Sequence, residues 1–332
     1  MTLHFAPDHQ RARQLDRAVR RSVADSLVYL AEVSAEYLML DSAPSDNLVR
    51  GLRQGVRFGP APFGLYAQFV HKLVDGDRKA ATALWKRLGE SHVPIETMQV
   101  IGLDDPALAP DISIYTALMG EGDEDALLIL PPQPERVPSF LNDLDAALKL
   151  LNRICPDLAG EIDALVTQLV MVSGTKGGAT TFDGGSCYML WGGLFINIDR
   201  PRSILELLEV LVHEAAHMLL YGFTIEEPLV TNPDEDLYPS PLRIDSRPMD
   251  GIFHATWVSA RMYWAMETLL ASGVLDAASR AEALKAQVED RRNFDAGMEV
   301  VQKHGQLTMT GRALMESADQ AIRCSGKFAS GD

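Results

Sequence analysis

One stretch limits the choice of fold more than any other. Between Ser203 and Gly222 nearly every position is apolar, and Val210-Leu211-Val212-His213-Glu214-Ala215-Ala216-His217-Met218-Leu219-Leu220 runs through its middle. A helix that is apolar almost all round has to be buried, so other elements must wrap it. The segment carries its own start and stop. Ser203-Ile204-Leu205-Glu206, after Pro201, has the form of a capping box. Ser203 accepts a bond from the third helical N–H and Glu206 reaches back to the cap. Gly222 is an ordinary C-terminal stop.

The polar exceptions on this helix carry chemistry. Glu206, Glu209, His213 and His217 fall on one narrow stripe. Buried ionisable groups are costly unless they are paired or bound to metal. Two histidines four apart lie one turn apart on one face, where both imidazoles can grip a single ion. Glu214 lies about 100° round the helix from His213 and points beside such an ion.

A metal held by protein needs further donors. The next helix begins near Asp250 and is preceded by Arg243-Ile244-Asp245-Ser246-Arg247-Pro248. His254 sits in its first turn on an otherwise apolar stretch and is the best candidate third ligand. Arg243 and Arg247 flank the helix start, and a guanidinium beside a metal is a fork for a carboxylate. One chemistry open to this set is that of a zinc metallopeptidase, with Glu214 as general base toward a metal-activated water. The extended protease motif would need glycine at position 220 and histidine at 223, where the chain has Leu220 and Phe223. The alternative ligand, a glutamate on a later helix, is also missing, since Glu226, Glu227 and Glu235 fall in a loop rich in Pro and Asp.

Around this motif the chain reads as α+β and mostly helical. Residues 8–40 and Leu65–Leu88 have helical periodicity, with breaks at Asp41–Asn47 and Gly59–Gly64 and loops at 102–110 and 119–125. Pro131-Pro132-Gln133-Pro134 is the strongest boundary. It separates a helical N-terminal region, residues 1–135, with a role in peptide recognition, from a metal-binding catalytic domain, residues 136–325. Helices are expected from Pro138 to Ile154 and from Leu158 into Val170. Gly174–Gly185 reads as a loop, because Gly174-Thr175-Lys176-Gly177-Gly178 lacks the phosphate-loop spacing. Ser186–Trp191 and Leu194–Ile198 read as a hairpin about Gly192-Gly193. Leu275–Arg323 reads as two or three helices with a break near Gly305. The expected architecture is therefore a small antiparallel sheet beside the buried motif helix, a zincin-like arrangement.

Composition excludes several classes of partner. With 332 residues and 47% hydrophobic content the chain can bury a large core. Its 46 acidic and 30 basic residues give a net charge of -16, which disfavours nucleic acid and anionic membranes. Cys155, Cys187 and Cys324 are odd in number and far apart, so they form no disulfide framework and fit a reducing compartment. The start, Met1-Thr2-Leu3-His4-Phe5-Ala6-Pro7, lacks a secretory pattern, and no apolar run reaches membrane length. A cytoplasmic location is expected.

At this point the chain resembles a known family. Leu211-Val212-His213-Glu214-Ala215-Ala216-His217 followed by Ser246-Arg247-Pro248-Met249-Asp250-Gly251-Ile252-Phe253-His254 is similar to the HExxH-motif peptide-modification proteins found with ribosomal natural-product gene clusters. These are described as 2-oxoglutarate-dependent HExxH-type peptide β-hydroxylases. Gly193-Leu194-Phe195-Ile196-Asn197 and Leu307-Thr308-Met309-Thr310-Gly311 also resemble that family, and the likeness spans about residues 138 to 323. It implies iron(II), 2-oxoglutarate and O2, with hydroxylation at a β-carbon of a precursor-peptide residue. His213 and His217 carry over as iron ligands, and His254 by position. Arg247 is the first choice for the 2-oxoglutarate carboxylate and Arg243 the second. Imidazole and carboxylate donors suit iron(II) as well as zinc. If Glu214 or another acid replaces His254 as third ligand, the site becomes a two-His-one-carboxylate set. A non-catalytic peptide-binding protein with a structural metal is the remaining alternative. For either peptide reading, an extended peptide can add to the edge of the hairpin.

Overall fold

The computed structural model of the protein describes residues 3–38, 46–90, 92–121, 127–176, 182–242 and 245–325. In chain order the elements are α1 (His9–Leu38), α2 (Asp46–Arg53), α3 (Ala61–Val74), α4 (Arg78–Leu88), β1 (Gln99–Gly102), α5 (Ile112–Met119), β2 (Leu127–Leu130), α6 (Val137–Ile154), α7 (Pro156–Leu165) and β3 (Gln168–Lys176). They continue with β4 (Gly184–Ser186), β5 (Gly193–Asn197), α8 (Ile204–Phe223), β6 (Leu237–Tyr238), β7 (Arg247–Pro248), α9 (Met249–Ala271), α10 (Ala277–His304) and α11 (Met309–Ser325). The fold is mostly helical with a small sheet, an α+β protein, as the periodicity predicts. Among the described residues no helix is long and apolar enough to cross a membrane.

Two compact units are each assembled from separated stretches, so no single cut along the chain, at Pro131–Pro134 or elsewhere, divides them. One comprises Arg13–Leu141 and Asp163–Pro201; the other comprises Met1–Ala12, Asn142–Ile162 and Arg202–Asp332.

The first unit holds the larger sheet. Its strands run β1-β3-β5-β4, with β2 also paired to β3. Val170 lies opposite Ile101 on one side and Phe195 on the other. The sheet is mixed rather than wholly antiparallel: β1 and β5 run parallel to β3, whereas β2 and β4 pair antiparallel. Parallel strands covered on both faces read as continuous apolar runs. Leu169–Val172 is such a run, and the helix expected from Leu158 into Val170 is cut short before it: α7 stops at Leu165 and β3 begins at Gln168. Ser186–Trp191 is likewise not one strand. β4 ends at Ser186, Tyr188–Leu190 make a 3-10 turn, and Gly192 at φ 89° turns the chain into β5. A Cβ at Gly192 would lie 2.4 Å from Thr167 Oγ1, so both its dihedral and its surroundings require glycine.

Two other local differences have physical causes. Asp75-Gly76-Asp77 splits the Leu65–Leu88 stretch, with Gly76 at φ 73° and Asp77 accepting from the Ala80 N–H to start α4. Gly64 lies inside α3 instead of breaking it. A Cβ there would meet Ile114 Cγ2 at 2.5 Å, so this glycine permits a close approach of α3 to α5. The Asp41–Asn47 connector lies outside the described residues up to position 45, as do residues 122–126 and 177–181.

In the second unit α8, α9, α10 and α11 form the body, with α9 packed against the other three. Phe253 and Trp257 of α9 are fully buried, each contributing about 1.5–3 kcal/mol of apolar burial. The Trp257 ring meets Phe5 edge-on at 5.5 Å. Both bonds of the expected capping box at the start of α8 are present: the Glu206 N–H donates to Ser203 Oγ at 3.0 Å and the Ser203 N–H to Glu206 Oε2 at 2.9 Å. A buried ion triad ties the N-terminal segment to α7 and α9. Glu161 accepts from Arg11 Nη2 at 2.7 Å and from Arg261 Nη2, and all three side chains are 2% exposed. The break near Gly305 is found between α10 and α11.

Candidate metal site

Helix α8 carries the predicted stripe, but not as a buried one: Glu206 is exposed and Glu209, His213 and His217 are half-buried. His213 and His217 are one turn apart, and their Nε2 atoms stand 3.1 Å apart. Their rings are 4.8 Å apart, tilted 69° to each other. A separation near 3 Å between two imidazole nitrogens is what results when both lie about 2.0–2.1 Å from one ion. The pair therefore fits a metal as two neighbouring donors. Glu214, next in the chain, is buried at 6% exposure.

Helix α9 brings His254 to the same place, 37 residues on in the chain. It does not join the Nε2 pair. His254 Nδ1 lies 2.9 Å from His217 Nδ1, at the other edge of the His217 ring. The two rings stack at 5.2 Å with 20° between planes. Among the described residues no three His, Cys, Asp or Glu side chains converge as a ligand set. His254 thus occupies the position of a partner that orients His217, at the nitrogen a metal-binding imidazole normally gives to a hydrogen bond.

Burial disfavours the charged form of His217 and His254. It holds the His217 imidazolium well below the usual histidine range, and the neighbouring His213 and His254 push it further down. His254 is lowered by burial as well, against the pull of Asp250 in the opposite direction. Neutral imidazole is the form that binds metal.

Tyr221 belongs to the site although the motif does not include it. Its ring stacks on His217 at 6.3 Å and lies 5.3 Å from His254. The signal was present in the sequence, because Tyr221 is one further step of four along the Glu209–His213–His217 stripe. Asp290 on α10 is linked to the stripe only through the charge of Glu209. It is 3% exposed, and its Oδ2 has no hydrogen-bond partner among the described residues. Burial, then the charges of Glu209 and Glu289, push its carboxyl up to about 9. Asp290 shares the buried stripe of Ala283, Phe294, Gly297 and Val301, so helical periodicity marks it as a charge at a core position.

Arg247 is on β7, immediately before α9, and its Nη1 donates to Asp245 Oδ2 at 3.5 Å. A Cβ added at Gly251 would touch its side chain at 3.5 Å, which puts Arg247 along the first turn of α9. Arg243 lies outside the described residues.

No model of a known protein family matches the chain, and no curated protein matches it.

Proposed function

We propose that this protein is a metal-dependent enzyme that modifies a peptide. The observation that carries the reading is the 3.1 Å Nε2 pair of His213 and His217 on one turn of a buried helix. The family resemblance selects among metal chemistries, and the proposal is an iron(II) and 2-oxoglutarate-dependent peptide β-hydroxylase. Bound at the pair, iron(II) would supply the coupled oxidation in which 2-oxoglutarate, O2 and a C–H bond become succinate, CO2 and an alcohol.

The residues of the chain supply binding and orientation. His213 and His217 hold the ion through Nε2, and burial keeps the His217 ring neutral for that purpose. With a metal on Nε2, His217 Nδ1 would carry the proton and donate to His254 Nδ1, 2.9 Å away, which would fix the tautomer. His254 is therefore a positioning residue in this proposal. Tyr221 packs against both rings and holds the stack in register. Arg247 is the fork for the 2-oxoglutarate carboxylate. Glu214 is the remaining carboxylate of the motif and would act on a metal-bound water or on the substrate, which in this proposal is a precursor peptide.

The test is anaerobic loading with iron(II), then addition of 2-oxoglutarate and O2 while succinate is measured. Succinate release that is abolished in His213→Ala and His217→Ala supports the proposal. Cleavage of peptides by the zinc-loaded protein, with no succinate from the iron-loaded one, overturns it in favour of the peptidase. Metal binding by both forms without turnover of either kind would leave a peptide-binding protein with a structural metal.

A further inference from the structure

In the first unit, α1 carries a guanidinium with too few partners. Arg20 is 0% exposed, and its Nε donates to Asp16 Oδ1 at 3.0 Å and Oδ2 at 2.9 Å. Its Nη1 and Nη2 have no hydrogen-bond partner among the described residues. A guanidinium cannot shed its charge, so its terminal N–H groups stay donors wherever they are buried. Leaving such groups unsatisfied costs several kcal/mol in an ordinary interior.

Asp16 does not balance the charge. Its Oδ1 also accepts the Trp191 Nε1–H at 2.9 Å. Arg57 is a second cation within electrostatic reach of both Asp16 and Arg20. Its Nη2 caps the carbonyls of Asp163 and Val166, and its Nε is likewise buried without a partner. Asp16 is the buried carboxylate between these two guanidinium groups, and half-buried Arg57 also feels the exposed Asp163. Arg20 thus has Asp16 alone as its hydrogen-bonded counter-charge among the described residues, in a chain whose overall charge is -16. The Phe63 ring lies 5.3 Å from the Arg20 guanidinium carbon and covers its face, so only its edge is left for a ligand.

We propose that Arg20 Nη1 and Nη2 bind a small monovalent anion, of the size of formate or chloride, with the Arg57 charge in support. Full burial of Arg20 limits the ligand to that size, and two terminal donors on one planar fork match a carboxylate edge or a halide. This site is independent of the proposed metal chemistry.

The experiment is thermal unfolding of the full chain at constant ionic strength, with gluconate exchanged stepwise for formate or for chloride. Gluconate is too large for a fully buried site. A saturating rise of about 2–4 °C with either small anion, absent from the Asp16→Asn/Arg20→Met double variant, supports the proposal. The double variant removes both charges of the pair together and so avoids stranding one of them. No rise with either anion, or an equal rise in the double variant, overturns it. A crystal grown in bromide gives a reading that needs no variant. An anomalous peak within hydrogen-bond distance of Arg20 Nη1 or Nη2 supports the site, and water alone at those nitrogens overturns it.

Discussion

Replacing Asp290 with asparagine should stabilise the protein, by an amount that grows with pH. The Asp290 carboxyl is 3% exposed, and its surroundings push it up from the usual 3.8 to about 9 in the folded chain. Burial is the main cause and the Glu209 and Glu289 charges add to it. The folded state therefore keeps a proton that the unfolded chain has released, and stability falls as pH rises between 3.8 and about 9. Holding that proton at pH 7 costs about 4 kcal/mol, and relaxation and water penetration around a buried acid bring this nearer ~2 kcal/mol. Asparagine has the same shape and nothing to titrate. Urea unfolding of both proteins from pH about 4 to about 9 reads the difference. It should be near zero at the acid end and widen by up to ~1.4 kcal/mol per pH unit. Glu209→Gln should remove part of the same pH dependence. A stability difference that stays flat with pH, or an asparagine variant less stable than the parent at neutral pH, would refute the reasoning.

Two other substitutions test the packing and the site. Glu161→Ala strands the Arg11 and Arg261 guanidinium groups and should cost about 3–5 kcal/mol in chemical denaturation, whereas replacing all three residues by methionine should cost far less; equal losses would show that the triad is not coupled. His254→Phe keeps a ring beside Tyr221 but removes the acceptor for His217 Nδ1, so metal affinity by chelator competition should drop about 10–100-fold with folding stability little changed. Unchanged affinity would withdraw the positioning role from His254.

The local signals along the chain were sufficient for the motif helix. Ser203 and Glu206 cap α8 because both the donors and the acceptors of that bond lie within four residues of each other. His213 and His217 face one another for the same reason, since a spacing of four on a helix is a neighbour relation fixed by the backbone alone. The α+β class and the break at Gly305 followed from periodicity. Other features depend on contacts between residues distant in the chain, which no local pattern encodes. His254 was expected as a third metal ligand, but it meets the Nδ1 edge of the His217 ring rather than the Nε2 pair, and which edge it meets depends on how α9 packs against α8. The parallel pairing of β3 with β1 and β5 joins segments about 25 to 70 residues apart, and strands buried on both faces lose the alternation that would distinguish them from helix. Gly64 looks like a breaker in sequence, and only the closeness of α5 explains its place inside a helix. Arg20 and Asp16 are ordinary residues of an amphipathic helix when read locally; burial against Phe63 and Trp191 turns them into an under-partnered charge. Short-range geometry is set by covalent spacing, while burial and the ring edges that meet are set by packing, and this is why the sequence alone determined the spacing of His213 and His217 and only the tertiary structure decided which groups surround them.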